Sequence, residues 1–194
     1  MDKKMTFRNV AVVLLMAVAY LLIFILGATS GIIHPACYAY IGALLPLLMA
    51  LVYLNTCTVI RGFGAATVLN GILAVLFLIA GEADVVFLIG MAVLTALAEI
   101  VRKTKGYDML KGVRWSFVPF AFSFFAYTAH WWTDTEGSIA AAVEEMPAGY
   151  DALMKPVIDN IPMLVVALVV TIPVAILAMR LAERILKKRA EKLN

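Results

Sequence analysis

Hydrophobic positions in this chain come in long unbroken runs rather than amphipathic stripes, and polar residues gather in the short gaps between them. The runs cover approximately Val10–Gly27, Ala36–Tyr53, Val59–Ala80, Val85–Val101, Val113–His130 and Ile161–Met179. A helix needs roughly 20 mostly apolar residues to cross about 30 Å of hydrocarbon. The pattern therefore predicts an all-α, polytopic membrane protein: six transmembrane helices in one integral-membrane domain over residues 1–194. The one long connection, residues 131–160, reads as an external loop with a short helix. Ser138 can cap a helix to Met146 with Ile139, Val143 and Met146 on one face. Pro147 and Gly149 then break it before Tyr150–Met154. A long loop in a tightly connected bundle reads as a lid or binding element.

Composition excludes a soluble domain: of 194 residues, 64% are hydrophobic and 15% charged, with mean hydropathy +0.97. The first run follows Lys3, Lys4 and Arg8, but at about 18 residues it exceeds the usual ~7–15 of a signal-peptide core and reads as an uncleaved helix. Threading the runs six times puts every Lys and Arg except Lys155 on one side. That side holds the two ends of the chain, Arg61, Arg102, Lys103, Lys105, Lys111, Arg114 and the run from Arg180 to Lys192. Cytoplasmic segments collect Lys and Arg, so both termini are expected inside. Outside lie Glu82, Asp84, Asp134, Glu136, Glu144, Glu145, Asp151 and Asp159. The basic tail suits anionic lipid head groups. Nucleic acid is not an expected partner, because no soluble basic module is present. Cys37 and Cys57 fall at opposite ends of the second run, where no disulfide can join them, and no zinc-ligand spacing occurs.

Polar residues within the runs narrow the picture. Pro46 predicts a mid-membrane kink in the second helix, and Pro173 one in the sixth, whose first turn carries Pro162. Asn70 must point into the bundle or a wet cavity, as interhelical glue or a ligand contact. Glu99 precedes Arg102 and Lys103 by three and four residues, the spacing of a local ion pair. Tyr127, Trp131 and Trp132 suit the outer head-group belt or stack on a planar ligand. Ala11, Leu15 and Ala19, with Ala17 nearby, form a smooth face for bundle packing or for docking a partner.

No phosphate-binding loop, HExxH or GxSxG motif is present, and Ser30 and His34 have no orienting acid, so no enzymatic activity is expected. No inverted repeat or voltage-sensor pattern is visible. No metal or cofactor is expected, although His34 and His130, the only histidines, could share a pocket able to ligate a metal or haem iron. A pocket at the outer ends would draw on His34, Tyr38, Tyr127, His130, Trp131 and Tyr150. Asn70, Asn160, Glu82 and Asp84 would supply further polar groups. Aromatic walls with a few convergent polar groups suit a small organic ligand, and the two acids favour an amine-bearing or cationic one.

Six spans, a basic tail and a long outer loop before the last helix resemble the substrate-binding S components of energy-coupling factor (ECF) transporters. The segments Gly27-Ala-Thr-Ser-Gly-Ile-Ile-His-Pro35, Asn70-Gly71 and Glu144-Glu-Met-Pro-Ala-Gly-Tyr150 are similar to the Trep_Strep (MptD-type) group among them. The resemblance runs over essentially the whole chain. It implies a six-helix bundle of S-component type in a bacterial cell membrane, with both termini cytoplasmic. Such proteins capture a vitamin or other micronutrient at the outer face. They then deliver it by associating with a transmembrane coupling protein and two cytoplasmic ATPases. Many members dock the coupling protein through an AxxxA pattern on helix one; here Ala11, Leu15 and Ala19 place a leucine centrally, with Ala17 as the small neighbour. Cobalt and nickel S components use a histidine near the N-terminus, which this chain lacks. The competing expectation is a stand-alone secondary transporter or channel for a small solute.

Overall fold

The computed structural model describes residues 6–107 and 109–191, so Lys3, Lys4 and Lys192 of the basic set lie outside the described residues. Regular structure among the described residues is entirely helical. Helix α1 (Phe7–Thr29) starts where the Thr6 hydroxyl accepts the Asn9 amide and ends in a 3-10 turn, Ser30–Ile32. A broken pair follows: α2 (Pro35–Tyr40) with a 3-10 turn (Ile41–Ala43), then α3 (Pro46–Val59). Next come α4 (Ala65–Ala80) and α5 (Val85–Lys105). Three pieces, α6 (Leu110–Phe120), α7 (Ser123–Thr128) and α8 (His130–Thr133), lead to the paired helices α9 (Thr135–Glu145) and α10 (Tyr150–Ile158). The long α11 (Ile161–Glu191) closes the bundle and passes through Pro173 as one helix.

By length and composition, three helices can cross a membrane: Phe7–Ile32, Val85–Lys105 and Ile161–Glu191. The pair Pro35–Ala43 and Pro46–Val59, bent by 44°, makes a fourth if taken as one broken span. Two expected spans differ for local reasons. The third run yields a helix only from Ala65, because Gly62 and Gly64 interrupt it. Gly64 takes φ +117°, a left-handed backbone that side chains disfavour. At 16 residues, α4 covers only about 24 Å of rise. The fifth run breaks after Pro119, which lacks the amide that would bond back into the preceding turn. There the chain tightens, the Phe122 amide bonding the Pro119 carbonyl at 3.2 Å.

In the bundle α5 packs on α4, α6 and α7, α11 on α3 and α6, and α1 on α3 and α4. The centre is aromatic, with Tyr20, Phe24, Tyr53, Phe117, Phe120 and Phe124 wholly buried. Gly27 permits a close approach between helices, since a Cβ there would lie 2.7 Å from Phe124 Cζ and 2.9 Å from Leu45 Cδ1. Leucine, isoleucine and valine cover the outside, with Leu15, Ile79, Val93 and Val169 among many that are exposed. This inversion of a soluble protein's surface is what a lipid solvent requires.

Candidate functional site

Two polar features stand out, one at each end of the bundle. One end carries Arg61, Arg102, Lys103 and Arg114; the other carries Glu82, Asp84 and the α8–α10 segment.

At the basic end, Glu99 is buried and its Oε1 accepts the backbone amides of Gly64 (3.1 Å), Ala66 (2.9 Å) and Thr67 (3.3 Å). These are amides that a helix start leaves unpaired, so Glu99 on α5 caps α4 from across the interface. The spacing-based expectation of a local pair with Arg102 or Lys103 is therefore corrected. Arg102 is also wholly buried, and its Nη2 donates to the carbonyls of Cys57 (3.2 Å) and Ile60 (2.5 Å) at the end of α3. Neighbours in sequence thus serve two different helix ends. Glu99 Oε2 and Arg102 Nε and Nη1 are buried without partners. Between α4 and α5, Glu99 also lines a largely apolar groove of about 790 Å³ with Thr67, Asn70, Thr95 and Lys103. Nothing in the local sequence signalled this groove, which depends on the packing of two helices.

At the acidic end, α2, α7 and α8 bring four expected site residues together. The rings of Tyr38 and Trp131 lie 4.7 Å apart between centroids, Tyr38 and Tyr127 6.1 Å, and Tyr127 and His130 6.3 Å. Phe77 and Phe87 pack beneath Tyr127 at 5.1 and 5.8 Å. The Tyr127 hydroxyl donates to Glu82 Oε2 at 3.3 Å. His130 stands between Ser138, 3.0 Å from Nδ1, and the Tyr38 hydroxyl, 3.1 Å from Nε2. The Ser138 hydroxyl has one proton, directed at the His130 carbonyl 3.1 Å away. With that assignment Nδ1 carries the ring proton and Nε2 accepts from Tyr38.

Helices α9 and α10 pack together over this cluster, with α10 against α2. Three bonds from aromatic side chains fasten the pair. Tyr150 donates to the Gly31 carbonyl (3.0 Å), Tyr40 to that of Val157 (3.1 Å), and Trp132 Nε1 to that of Ile158 (3.1 Å). Burial raises the Tyr150 phenol above its usual range, and Cys37 adds to the effect. Asp134, rather than Ser138, caps α9, its Oδ1 accepting the Gly137 amide at 3.2 Å. Ser138 is buried against His130 instead.

The remaining expected residues are engaged elsewhere. His34 is exposed, and its Nδ1 accepts the Ala36 amide as the cap of α2. It does not share the His130 site. Asp84 caps α5 through the Phe87 amide at 2.6 Å, and Asn160 caps α11 through Met163 at 3.1 Å. Asn70 is the glue between helices, its Oδ1 accepting from Tyr20 (2.8 Å) and its Nδ2 donating to Thr95 (2.9 Å). On α1, Ala11 and Leu15 are exposed and Ala19 is half-buried, whereas Ala17 faces the core and offers no docking surface. No grouping of three or more His, Cys, Asp or Glu able to hold a metal occurs among the described residues.

An all-helical bundle with a lipid-type exterior and its polar groups gathered at two ends defines a multi-pass integral membrane protein. Residues 7–192 match a family described as "Hypothetical bacterial integral membrane protein (Trep_Strep)", and the chain belongs to that family. Neither a curated protein nor a solved structure matches it.

Proposed function

We propose that this protein is the substrate-binding S component of an ECF-type importer. It captures a small amine-bearing or cationic micronutrient at the acidic end without chemically altering it. In this reading the broken and short helices complete six crossings, and the basic end faces the cytoplasm of a bacterial cell, as do both termini. One observation carries the reading: Tyr38, Tyr127, His130 and Trp131 converge under a helical pair held by Tyr40, Trp132 and Tyr150. Aromatic walls supply apolar and cation–π contact, while Glu82 and the Tyr38 hydroxyl supply oriented polar groups. The rings already touch one another, so a ligand enters by parting them, and the α9–α10 pair is the element whose displacement allows it. Delivery requires partners: a coupling protein that meets the exposed face of α1 at Ala11 and Leu15, and two cytoplasmic ATPases.

Affinity purification from native membranes tests the assembly. The tagged chain should bring down one polytopic membrane protein and two ATPases, and Leu15→Trp on the exposed face of α1 should weaken their recovery. Ion-coupled solute flux in liposomes containing this chain alone would overturn the reading in favour of a self-sufficient transporter.

A further inference from the structure

We propose that the groove between α4 and α5 is a binding site for a phospholipid with a primary ammonium head, phosphatidylethanolamine. The inference depends only on the protein's place in the membrane and is independent of the capture function.

Three features lead to it. The groove wall is chiefly apolar, from Leu88, Met91 and Ala92 down to Ala96 and Ile100 along α5, as an acyl chain requires. Its volume, about 790 Å³, is ample for a segment of lipid chain. Its polar end is not generic. Glu99 and Lys103 line it together, four residues apart on one helix. Such positions lie roughly 5–6 Å apart at their Cβ atoms. Phosphoethanolamine carries an ammonium and a phosphate separated by two carbons, a matching pair of opposite charges at a similar spacing.

Glu99 is the selective element. Its Oε1 already accepts three backbone amides, while Oε2 is buried and has no donor. A buried carboxylate oxygen without a donor is costly, and an ammonium satisfies it with a charge-assisted bond. Lys103 is exposed and free to reach the phosphate. A trimethylated choline head has no N–H to offer Glu99, so the site discriminates between two lipids of otherwise equal shape. Lys103 and Tyr107 lie at the helix end that carries the basic residues, so the phosphate sits near the interface, the two-carbon ammonium arm folds back one turn to Glu99, and the tails run along α5 toward Leu88.

Native mass spectrometry of the full-length purified protein tests the proposal, with phosphatidylethanolamine and phosphatidylcholine of identical acyl chains as probes. Wild-type protein should retain the ethanolamine lipid about tenfold better, the scale of one hydrogen bond to a charged group. Glu99→Gln keeps an oxygen for the α4 amides and should bring the ratio close to one. Lys103→Gln, at an exposed position that spares the fold, should lower ethanolamine-lipid retention. Ala96→Phe should obstruct the groove for both lipids. Equal retention of the two lipids by wild-type protein would overturn the proposal and leave the groove as an unselective apolar surface. So would a preference that persists in both Glu99→Gln and Lys103→Gln.

Discussion

The Tyr38 hydroxyl donates to His130 Nε2 across 3.1 Å, joining α2 to α8 at the acidic end. Because Nδ1 of the same ring holds Ser138 on α9, one imidazole ties the ring cluster to the helical pair above it. Disturbing the cluster should therefore be felt in that pair, and the reverse.

Tyr38→Phe keeps the ring stacked on Trp131 but leaves His130 without its donor. It should lower stability by about 1 kcal/mol, and Tyr38→Ala, which also removes the ring, by roughly 3–5 kcal/mol. Thermal unfolding in detergent measures both; equal losses would mean the ring packing contributes nothing.

Glu99→Ala removes the acceptor for three amides at the start of α4 and should destabilise by about 3 kcal/mol, with Glu99→Gln milder. Hydrogen exchange supplies the local readout: the Gly64, Ala66 and Thr67 amides should exchange faster in the alanine variant. Unchanged protection there would show that the cap is not formed in solution.

Gly27→Val places branched carbons against the Phe124 ring and Leu45, where even a single Cβ would lie 2.7 Å from Phe124 Cζ. Overpacking of this kind costs roughly 1–3 kcal/mol. The substitution should lower the unfolding temperature, and pairing it with Phe124→Leu should recover part of the loss.

Tyr150 latches α10 to Gly31 only while its phenol is protonated. Burial raises its pKa above the ordinary value of 10.0, so the protonated, folded form is favoured. The latch is thus fully in place below pH 10 and weakens as pH climbs through the higher folded-state value. Proteolysis at the Pro147–Gly149 turn should be flat through neutral pH and rise only in strong alkali, whereas Tyr150→Phe should be cut faster through neutral pH and lose that difference in strong alkali.

Arg114 and Glu183 join α6 to α11 in a two-pronged pair, with 2.6 Å and 3.1 Å contacts. Arg114 is about a third exposed, with a side-chain relative accessibility of 36%, so solvent screens the interaction. A double-mutant cycle should return a coupling of only about 0.5–1 kcal/mol.

The membrane class, the sites of most apolar helices and the aromatic members of the acidic-end cluster were legible in the sequence. They depend on composition and on which run ends face which way. Helix breaks were harder. Pro119 and Gly64 interrupt runs that hydropathy alone reads as continuous. Residues with two plausible partners were harder still. The i,i+3 spacing of Glu99 and Arg102 suggests a pair, yet each binds the backbone of another helix. His34 and Asp84 have pocket chemistry but cap helices, because an unpaired amide one turn away is a nearer partner than a distant ligand.

The most direct test of nutrient capture is native mass spectrometry of the protein extracted from its own host membrane, read for bound molecules lighter than lipid. Wild-type protein should carry one small molecule, and Tyr38→Ala and Trp131→Ala should each lose it while remaining folded. A small molecule held equally by all three proteins, or none held by wild type in a gentle extraction, would contradict a capture site at the acidic end.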